Sequence, residues 1–491
     1  MPEAARWHCG SRWRCFGCGR KGKLLAKGRT HRWYACPIAA LRGETNRRSD
    51  PLVARRLQSL APYGQARTRP RTSPPGVSPK TATEHMNAQV ETHETVVRIP
   101  PAASHHTLLV APDGSFLGVG HGRLTTSATG DDRVMWRAEK DGSYRHATTD
   151  QRVRASEIPG TDGVHLHTKD GVLDASGEPA TSAVTFTPSH GPEQLPSESL
   201  AFFRARGWVC LTSILAPDTV DALQRLAGTD GHERESDQPH SHVQAALSVD
   251  PAVARTAAEP VSLWLIRAYM QTGDIRLGHT PALIVLHRDD GKRNVQGWHS
   301  DFPYHWGISA PGVVPTPTGA TVLGVQRNVC VSEFTRERGA TAFKLGSHTK
   351  DHGPPDEWIT AATLQGNPAH RAEHGLPYNG PDADVIEAPA GSIILYDART
   401  WHRAGVNRTP HSRAAILQAM TPMYIMPKSD TSAAYKDFLT SPAHAQLTTR
   451  ERNEMRNLML HAFNGPGHQA IGPDQELTEL ARAASISSGS Y

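Results

Sequence analysis

The chain has 491 residues, which predicts roughly two to four domains, and 37% hydrophobic with 21% charged residues is typical of a globular protein. No apolar run approaches the ~20 residues that a membrane-spanning helix needs. The net charge of +5 is uneven, because residues 1–85 hold 18 Lys and Arg against 4 Asp and Glu, which leaves the remainder at −9. This distribution gives no support to nucleic-acid binding by the body of the protein.

Residues 1–85 form a basic leader rich in Arg, Pro and Ser, with too little apolar surface to offset the entropy of ordering. Three interpretations remain open. The leader is an organelle-targeting segment, a translated upstream sequence with Met86 as the true start, or a small zinc module. The zinc module would use Cys9, Cys15, Cys18 and Cys36. Because only two further cysteines exist, a secreted disulfide framework is not indicated, and we expect a cytoplasmic protein.

Residues 95–190 contain short β-type runs separated by Asp-Gly turns, and they include an internal repeat. The stretches that start at Asp113 and Asp162 are offset by 49 residues and end in the pattern V-x-aromatic at Trp136 and Phe186. A period of this size predicts stacked β units. The pattern resembles fascin-like β-trefoil repeats, with a small β-sandwich as the alternative. We expect either a structural partner of the next domain or a docking module for another molecule.

From residue 195 the pattern predicts a helix, a strand and a second helix, in which Asp218 and Thr219 are candidate caps. Residues 280–426 then alternate β-rich runs with Gly, Pro and Asp turns, as in a β-barrel or jelly roll. Residues 427–491 return to helix, where Thr448 and Glu451 form a predicted capping box. The predicted fold is therefore mainly β with flanking helices.

The segment "GWHSDFPYH" at residues 297–305 places His299 and Asp301 two positions apart, so in a strand both side chains would lie on one face. His402 follows the predicted strand "SIILYD" and supplies a third candidate ligand. Two imidazoles and one carboxylate suit Fe(II) and leave positions for a 2-oxo acid and O₂. Arg413, 11 residues after His402, has the fixed charge that the distant carboxylate of such an acid would need.

Three motifs carry a family resemblance: "WHSDF", "FTRERGATAFKLGSH" and "GSIILYDARTWHRAGVNRTPHSR". The region 195–426 resembles the phytanoyl-CoA dioxygenase (PhyH) family of Fe(II)/2-oxoglutarate-dependent oxygenases. The resemblance implies a double-stranded β-helix in which His299, Asp301 and His402 bind iron. It also implies that Arg413 and Asn328 bind 2-oxoglutarate.

Other polar and aromatic residues near these motifs are given structural roles. His348 is expected at a strand end, and Trp298 and Trp401 are expected to keep the site dry by packing. Tyr304 and His305 are weaker candidates for the substrate mouth. Lys344 and Arg327 are candidate anion contacts, but the default expectation is that both are solvated charges of the barrel face.

The carboxylate of Asp301 disfavours halogenation, because related halogenases have a small residue at this position. We therefore expect hydroxylation of a small molecule or lipid-like acid, with release of succinate and CO₂; desaturation and cyclisation remain open. Two alternatives stay open as well. One is a cupin-type metalloenzyme that does not use 2-oxoglutarate, and the other is a scaffold protein that acts through residues 95–190.

Overall fold

The computed structural model describes residues 91–93, 96–234, 236, 240–291, 297–306, 320–350, 352–355 and 383–460. All of them belong to one compact unit, Pro75–Tyr491. The expectations for the leader, including its cysteines and Met86, and for residues 461–491 lie outside the described residues. Within the described part, no helix is both long and apolar enough to cross a membrane.

Within the described residues, twelve strands precede the first long helix. They are β1 Glu91–His93, β2 Val96–Arg98, β3 Thr107–Val110, β4 Phe116–Gly120, β5 Arg123–Ser127, β6 Trp136–Ala138, β7 Ser143–His146, β8 Arg152–Glu157, β9 Val164–Thr168, β10 Gly171–Leu173, β11 Pro179–Ala180 and β12 Thr185–His190.

Six of these strands close into a ring. The pairs run β3–β6, β6–β7, β7–β8, β8–β9, β9–β12 and β12–β3. Strands β4 and β5 form one hairpin outside the ring, and β10 and β11 form a second. Trp136 and Phe186, the aromatic residues of the sequence repeat, are both fully buried in the core of this module. The repeat therefore marks corresponding inward-facing positions on β6 and β12.

The rest of the described chain alternates helices and strands. They are α1 Pro196–Arg206, β13 Trp208–Leu211, α2 Pro217–Ala227, β14 His240–His242, α3 Ala246–Val249, α4 Pro251–Ala257, α5 Pro260–Met270, β15 Ile275–Leu277, β16 Ala282–Leu286, β17 Val325–Cys330, β18 Ala342–Phe343, β19 Asp384–Glu387, β20 Ile393–Asp397, β21 His402–Arg403, β22 Arg413–Pro422, α6 Ser432–Leu439, α7 Pro442–Ala445 and α8 Thr449–Leu458.

These strands form two sheets. The larger has the order β13–β20–β17–β22–β16–β14, with β15 also paired to β22, and the smaller has the order β1–β2–β19–β18–β21. Buried residues of both sheets share one hydrophobic core. The chain contributes β2 to the smaller sheet, in parallel with β19, before it enters the six-stranded ring.

The central strand β17 presents different chemistry on its two faces. Asn328 lies opposite Ile394 of β20 and Leu417 of β22. Its neighbour Arg327 points to the other face, because side chains alternate along a strand. Arg327 is fully buried and donates to the carbonyl oxygens of Thr256 and Ala257 at the end of α4. The expectation of a solvated charge at Arg327 was therefore wrong.

The helix boundaries confirm part of the capping analysis. Thr448 and Glu451 form the predicted capping box at the start of α8. The expected caps of α2 were wrong: the N-cap is Ala216, Pro217 takes the first helical position, and Asp218 accepts only from the backbone N–H of Thr219. Proline is favoured at the first helical position, because it has no backbone N–H that would need a partner there and its φ suits a helix.

One arginine links α8 to the β ring module. Arg450 donates through Nε to the carbonyl oxygen of Gly114 at 3.0 Å and through Nη1 to that of Ala258 at 3.0 Å. Its guanidinium lies over the ring of Phe116, 5.0 Å from the centroid. These contacts tie the module to the helices that pack on the larger sheet.

Candidate metal centre

Two backbone segments meet where the candidate ligands lie. His299 and His402 form an isolated antiparallel bridge, in which each backbone N–H donates to the other residue's carbonyl oxygen at 3.0 and 2.9 Å. The backbone N–H of Asp301 donates to the carbonyl oxygen of Ala398 at 3.0 Å, just beyond β20. The bridge brings residues that are 103 positions apart in the chain next to each other.

The side chains converge as the spacing predicts. Ligand atoms of His299, Asp301 and His402 all lie within 4.8 Å of one another. Nε2 of His299 is 3.7 Å from Oδ1 of Asp301, and Nε2 of His402 is 3.1 Å from Oδ2. Both imidazoles are buried, with 3% and 6% of their surface exposed. Among the described residues, this is the group whose geometry could hold a metal ion.

Backbone carbonyl groups orient both imidazoles. Nδ1–H of His299 donates to the carbonyl oxygen of Gly297 at 2.7 Å, and Nδ1–H of His402 donates to that of Thr400 at 3.0 Å. These bonds favour the tautomer in which Nε2 carries the lone pair, which is the usual arrangement around metal-binding histidines. Both Nε2 atoms lie on the same side as the Asp301 carboxylate, where a metal ion would bind.

Burial and mutual contacts shift the pKa values of all three candidate ligands. Burial lowers the pKa of His299 to about 4, so this imidazole is neutral at pH 7. Burial opposes the charge on Asp301, yet the imidazoles of His402 and His299 hold the pKa of its carboxyl well below the usual range. The pKa of His402 is raised, because the attraction of Asp301 outweighs the effect of burial. Two imidazoles and a carboxylate that share one buried point fit a non-haem Fe(II) ion.

A residue that the sequence did not indicate completes the site. The hydroxyl group of Tyr396 donates to Oδ2 of Asp301 at 3.3 Å, and Tyr396 is fully buried on β20. The same hydroxyl group interacts with Asn328, whose Nδ2 donates to Oγ1 of Thr341 at 3.2 Å. Tyr396 lies in the predicted strand "SIILYD", but nothing in the sequence indicated its contact with a loop 95 residues away.

Arg413 and Asn328 lie on one face of the larger sheet. Arg413 opens β22, four residues before Leu417, which is the direct partner of Asn328. Side chains four residues apart on a strand share a face, and Tyr396 shares that face through its position two residues from Ile394. The Arg413 guanidinium lies 4.5 Å from the centroid of the Phe334 ring.

The aromatic residues beside the ligands pack in the core. Trp298 and Trp401 share a buried cluster with Ala342 and Ala383. Tyr304 is fully buried and its hydroxyl group accepts from the backbone N–H of Leu323 at 3.0 Å, so it does not line an open mouth.

His348 packs against Gly207, the C-cap of α1. That contact agrees with the structural role expected for His348 at the end of the "LGSH" motif.

Comparison with known proteins adds a family and several relatives. Residues 203–415 match the family described as phytanoyl-CoA dioxygenase (PhyH). The chain is 31% identical over 162 residues to "Dioxygenase hkm4" of Aspergillus hancockii, a stretch that covers 33% of this chain and 43% of that protein. It is 24% identical over 270 residues to "Ectoine dioxygenase" of Sphingopyxis alaskensis, which covers 49% of this chain and 80% of that protein.

A solved structure also aligns with part of the chain. HygX from Streptomyces hygroscopicus, with nickel, 2-oxoglutarate and hygromycin B bound, aligns with a TM-score of 0.35 and 16% identity. The alignment covers 47% of this chain and 88% of HygX. The aligned stretch spans less than half of the Aspergillus hancockii relative.

Proposed function

We propose that the protein is an Fe(II)- and 2-oxoglutarate-dependent dioxygenase that hydroxylates a small organic molecule. The match of residues 203–415 to the phytanoyl-CoA dioxygenase family supports this proposal. The observation that carries the proposal is the convergence of His299, Asp301 and His402 within 4.8 Å, inside the matched segment. A structural ion pair would not need two imidazoles whose Nδ1 atoms are already bound to carbonyl groups.

In this proposal each residue has one task. His299 and His402 would hold the metal ion through Nε2, and Asp301 would hold it through a carboxylate oxygen. Iron(II) with 2-oxoglutarate would supply the activation of O₂, with the 2-oxo acid converted to succinate and CO₂ as one oxygen atom passes to the substrate. Tyr396 orients the Asp301 carboxylate. Trp298 and Trp401 help to exclude water from the metal-binding side of the smaller sheet.

The proposal gives the carboxylate recognition of 2-oxoglutarate to Arg413, with Asn328 as a second polar contact. The support is their shared face of the larger sheet, which also carries Tyr396 beside Asp301. Arg413 keeps its charge at all relevant pH values, and its planar guanidinium matches a carboxylate. A cupin-type enzyme without 2-oxoglutarate would leave Arg413 without a function at this place.

The finer description of the fold is part of the same proposal. The two sheets of the matched region are taken as a double-stranded β-helix, domain 195–426. The six-stranded ring with two outer hairpins is taken as a β-trefoil-like module, within 95–190, whose middle unit is reduced to β7 and β8. A docking partner for this module stays a proposal. Cys210 and Cys330 are free thiols, which supports a reducing compartment such as the cytoplasm.

The test is the consumption of 2-oxoglutarate in air. Full-length protein supplied with Fe(II), ascorbate and 2-oxoglutarate should release succinate slowly even without the substrate, as uncoupled turnover. The same protein supplied with Zn(II), which has no redox chemistry, should release none. His402→Ala should abolish the release, while His411→Ala, at an exposed position, should not change it. Succinate release that persists in His402→Ala would refute the metal assignment.

A further inference from the structure

A second group of basic side chains lies beside the candidate metal ligands. The backbone N–H of His305 donates to the carbonyl oxygen of Asp301 at 3.0 Å, and the imidazole of His305 lies 5.6 Å from the ring of Phe302. Nε2 of His305 is buried and has no hydrogen-bond partner among the residues that the structure describes. His305 also has φ +53°, which is uncommon for a residue with a side chain. An unpaired buried nitrogen held in a strained conformation next to a catalytic site is a candidate for ligand contact.

Two other segments bring basic groups to the same side. The backbone N–H of Ser429 donates to the carbonyl oxygen of Gly278 at 3.0 Å, which brings the neighbouring residues Lys428 and His279 together. A Cβ atom placed on Gly278 would lie 3.2 Å from Cδ1 of Phe302, so this strand end packs directly on the Phe302 ring. Phe302 therefore contacts His305 and also packs against the segment that carries His279.

Lys428 interacts with both imidazoles. Burial is the main cause that lowers the pKa of both His279 and His305, and the positive charge of Lys428 lowers both further. Nδ1–H of His279 donates to the carbonyl oxygen of Thr280 at 2.8 Å, which leaves Nε2 for another partner. Lys428 is exposed and has no ion pair within the described ranges. Lys428 thus places a positive charge near Asp301, beside two imidazoles whose pKa values are lowered.

The segment that leads to Lys428 is apolar and exposed. Met423, Tyr424 and Met426 have 44%, 71% and 52% of their surface exposed. They are three of the four large hydrophobic side chains that stand exposed among the described residues, the fourth being Val249. Contiguous exposed apolar side chains of this kind mark binding surfaces.

We propose that His279, His305 and Lys428 form the substrate subsite of the metal centre, and that the substrate has a carboxylate or phosphate group attached to an apolar body. The anion would lie between the Lys428 ammonium group and the His305 imidazole, and the apolar body would lie along Met423–Met426. This assignment rests on the proposed function, because it takes the adjacent metal centre as the place of reaction. It differs from the 2-oxoglutarate contact assigned to Arg413, which opens β22, whereas Lys428 follows the end of that strand.

The test compares three probes of equal chain length: hexanoate, hexyl phosphate and neutral hexan-1-ol. Each is titrated by ligand-observed NMR into full-length protein that is loaded with Zn(II) and 2-oxoglutarate, so that Arg413 is occupied and no oxidation occurs. We expect at least one anionic probe to bind about 10-fold more tightly than hexan-1-ol. Hexanoate and hexyl phosphate then separate a carboxylate from a phosphate substrate.

Variants assign the preference to the subsite. Lys428→Ala and His305→Asn should each reduce the affinity for the preferred anion about 5-fold and leave that for hexan-1-ol unchanged; asparagine tolerates the positive φ at position 305. Lys436→Ala, at an exposed position of α6, is the matched control and should bind like the native protein.

The two proposals can fail separately. Equal affinity for the anionic probes and hexan-1-ol, or anion binding unchanged in both variants, would overturn the subsite even if succinate release is normal. If the native protein releases no succinate, that result counts against the proposed function instead. In that case, the probe titration repeated without Zn(II) and 2-oxoglutarate still shows whether His279, His305 and Lys428 bind anions.

Discussion

The imidazoles of His299 and His402 are each fixed by one backbone carbonyl oxygen, and the carboxylate of Asp301 is fixed by the Tyr396 hydroxyl group. All three ligand side chains are therefore oriented before any metal ion binds. Preorganisation of this kind contributes to metal affinity, because the ligands do not have to lose rotamer freedom on binding.

Tyr396→Phe tests the least expected of these contacts. The substitution keeps the buried ring and removes only the hydroxyl group that donates to Asp301. We expect Fe(II) affinity to fall about 10-fold, in the range typical of groups that orient metal ligands. Metal titration under anaerobic conditions measures this, and Tyr424→Phe, on an exposed side chain, is the control. An unchanged affinity would show that the hydroxyl group does not orient Asp301.

At this scale the sequence predicts the ligands but not their supporting contacts. His299 and Asp301 are recognisable because their spacing of two is local, and His402 because it follows a strongly apolar strand. Tyr396 is not recognisable as a site residue, because its contact depends on how β20 meets the loop at 297–306. His305 is similar: its position on the Lys428 side follows from the packing of Phe302 on Gly278, which no sequence pattern reports.

At the scale of single elements, a buried charge and a glycine determine how helices join the larger sheet. Arg327 reaches from β17 to the last carbonyl groups of α4, where the negative end of the helix dipole favours a cation. Gly207 ends α1 with φ +73°, and a side chain there would overlap the imidazole of His348.

Arg327→Met should destabilise the fold without altering the metal site. Methionine fills part of the volume, but it leaves the carbonyl groups of Thr256 and Ala257 without their donor. We expect the free energy of unfolding to fall by about 2–4 kcal/mol, measured by urea unfolding, with Arg154→Met at an exposed position of β8 as the control. A loss below about 0.5 kcal/mol would contradict the role of Arg327 at the end of α4.

Gly207→Ala should destabilise α1 for two separable reasons. The positive φ disfavours alanine by about 1 kcal/mol, and the overlap with His348 adds a further penalty. The double variant Gly207→Ala/His348→Ala should lose less stability than the sum of the losses in the two single variants. The reason is that removing the His348 side chain also removes the overlap, so that Gly207→Ala then costs only the backbone strain. Strict additivity of the two substitutions in urea unfolding would contradict the contact.

The pattern of elements was more predictable than their ends. The helix–strand–helix order after residue 195 and the capping box at Thr448 follow from local periodicity and local capping chemistry. The N-cap of α2 was mispredicted because Pro217 favours the first helical position, which competes with the side-chain caps expected at Asp218 and Thr219. The burial of Arg327 was missed because a charged residue in an apolar strand is usually solvent-exposed, and its partners on α4 are 70 residues away.

At the scale of the whole molecule, the β ring module and the sheets that hold the metal site share buried polar contacts. His106 donates through Nδ1–H to the carbonyl oxygen of Pro192 at 3.0 Å, and His190 donates through Nε2–H to that of Ser213 at 2.8 Å. Inside the module, His146 donates through Nε2–H to the carbonyl oxygen of Arg133 at 2.9 Å. These three histidines, as neutral hydrogen-bond donors, therefore stabilise the module and its connection to α1 and β13.

Stability should therefore depend on pH in a defined direction. Burial lowers the pKa of His106, His146 and His190 in the folded protein, so the unfolded chain binds protons first as the pH falls. Their stabilising contribution is complete above pH ~6.5 and is lost as the pH falls through the folded pKa values. We expect Tm to drop by several degrees between pH 7.5 and 5.

A triple variant identifies the source of that drop. Substitution of His106, His146 and His190 by Gln should flatten the pH profile. The pKa of His402 is raised by Asp301, so this residue stabilises the fold more as the pH falls, which is the opposite direction. The same Tm measurements in proteins that also carry His402→Gln remove this contribution. A profile as steep in the triple variant as in the native protein would contradict the assignment.

The ring closure illustrates what sequence cannot supply at this scale. The repeat at an offset of 49 indicated two β units, but the closure depends on the pairing of β12 with β3, whose residues are about 80 positions apart in the chain. Strands β7 and β8 have no outer hairpin, and the sequence repeat does not extend to them. Long-range pairing of this type has no local signature.

The central claim is that one site binds both Fe(II) and 2-oxoglutarate. The most direct test is an anaerobic titration of the full-length protein with Fe(II) and 2-oxoglutarate, in which the visible metal-to-ligand charge-transfer band is recorded. We predict a band that is absent in His402→Ala and weakened in Arg413→Ala, and that is retained in His411→Ala and Arg408→Ala, at exposed positions nearby. Well-folded native protein that gives no band, or a band that survives in His402→Ala, would contradict the account.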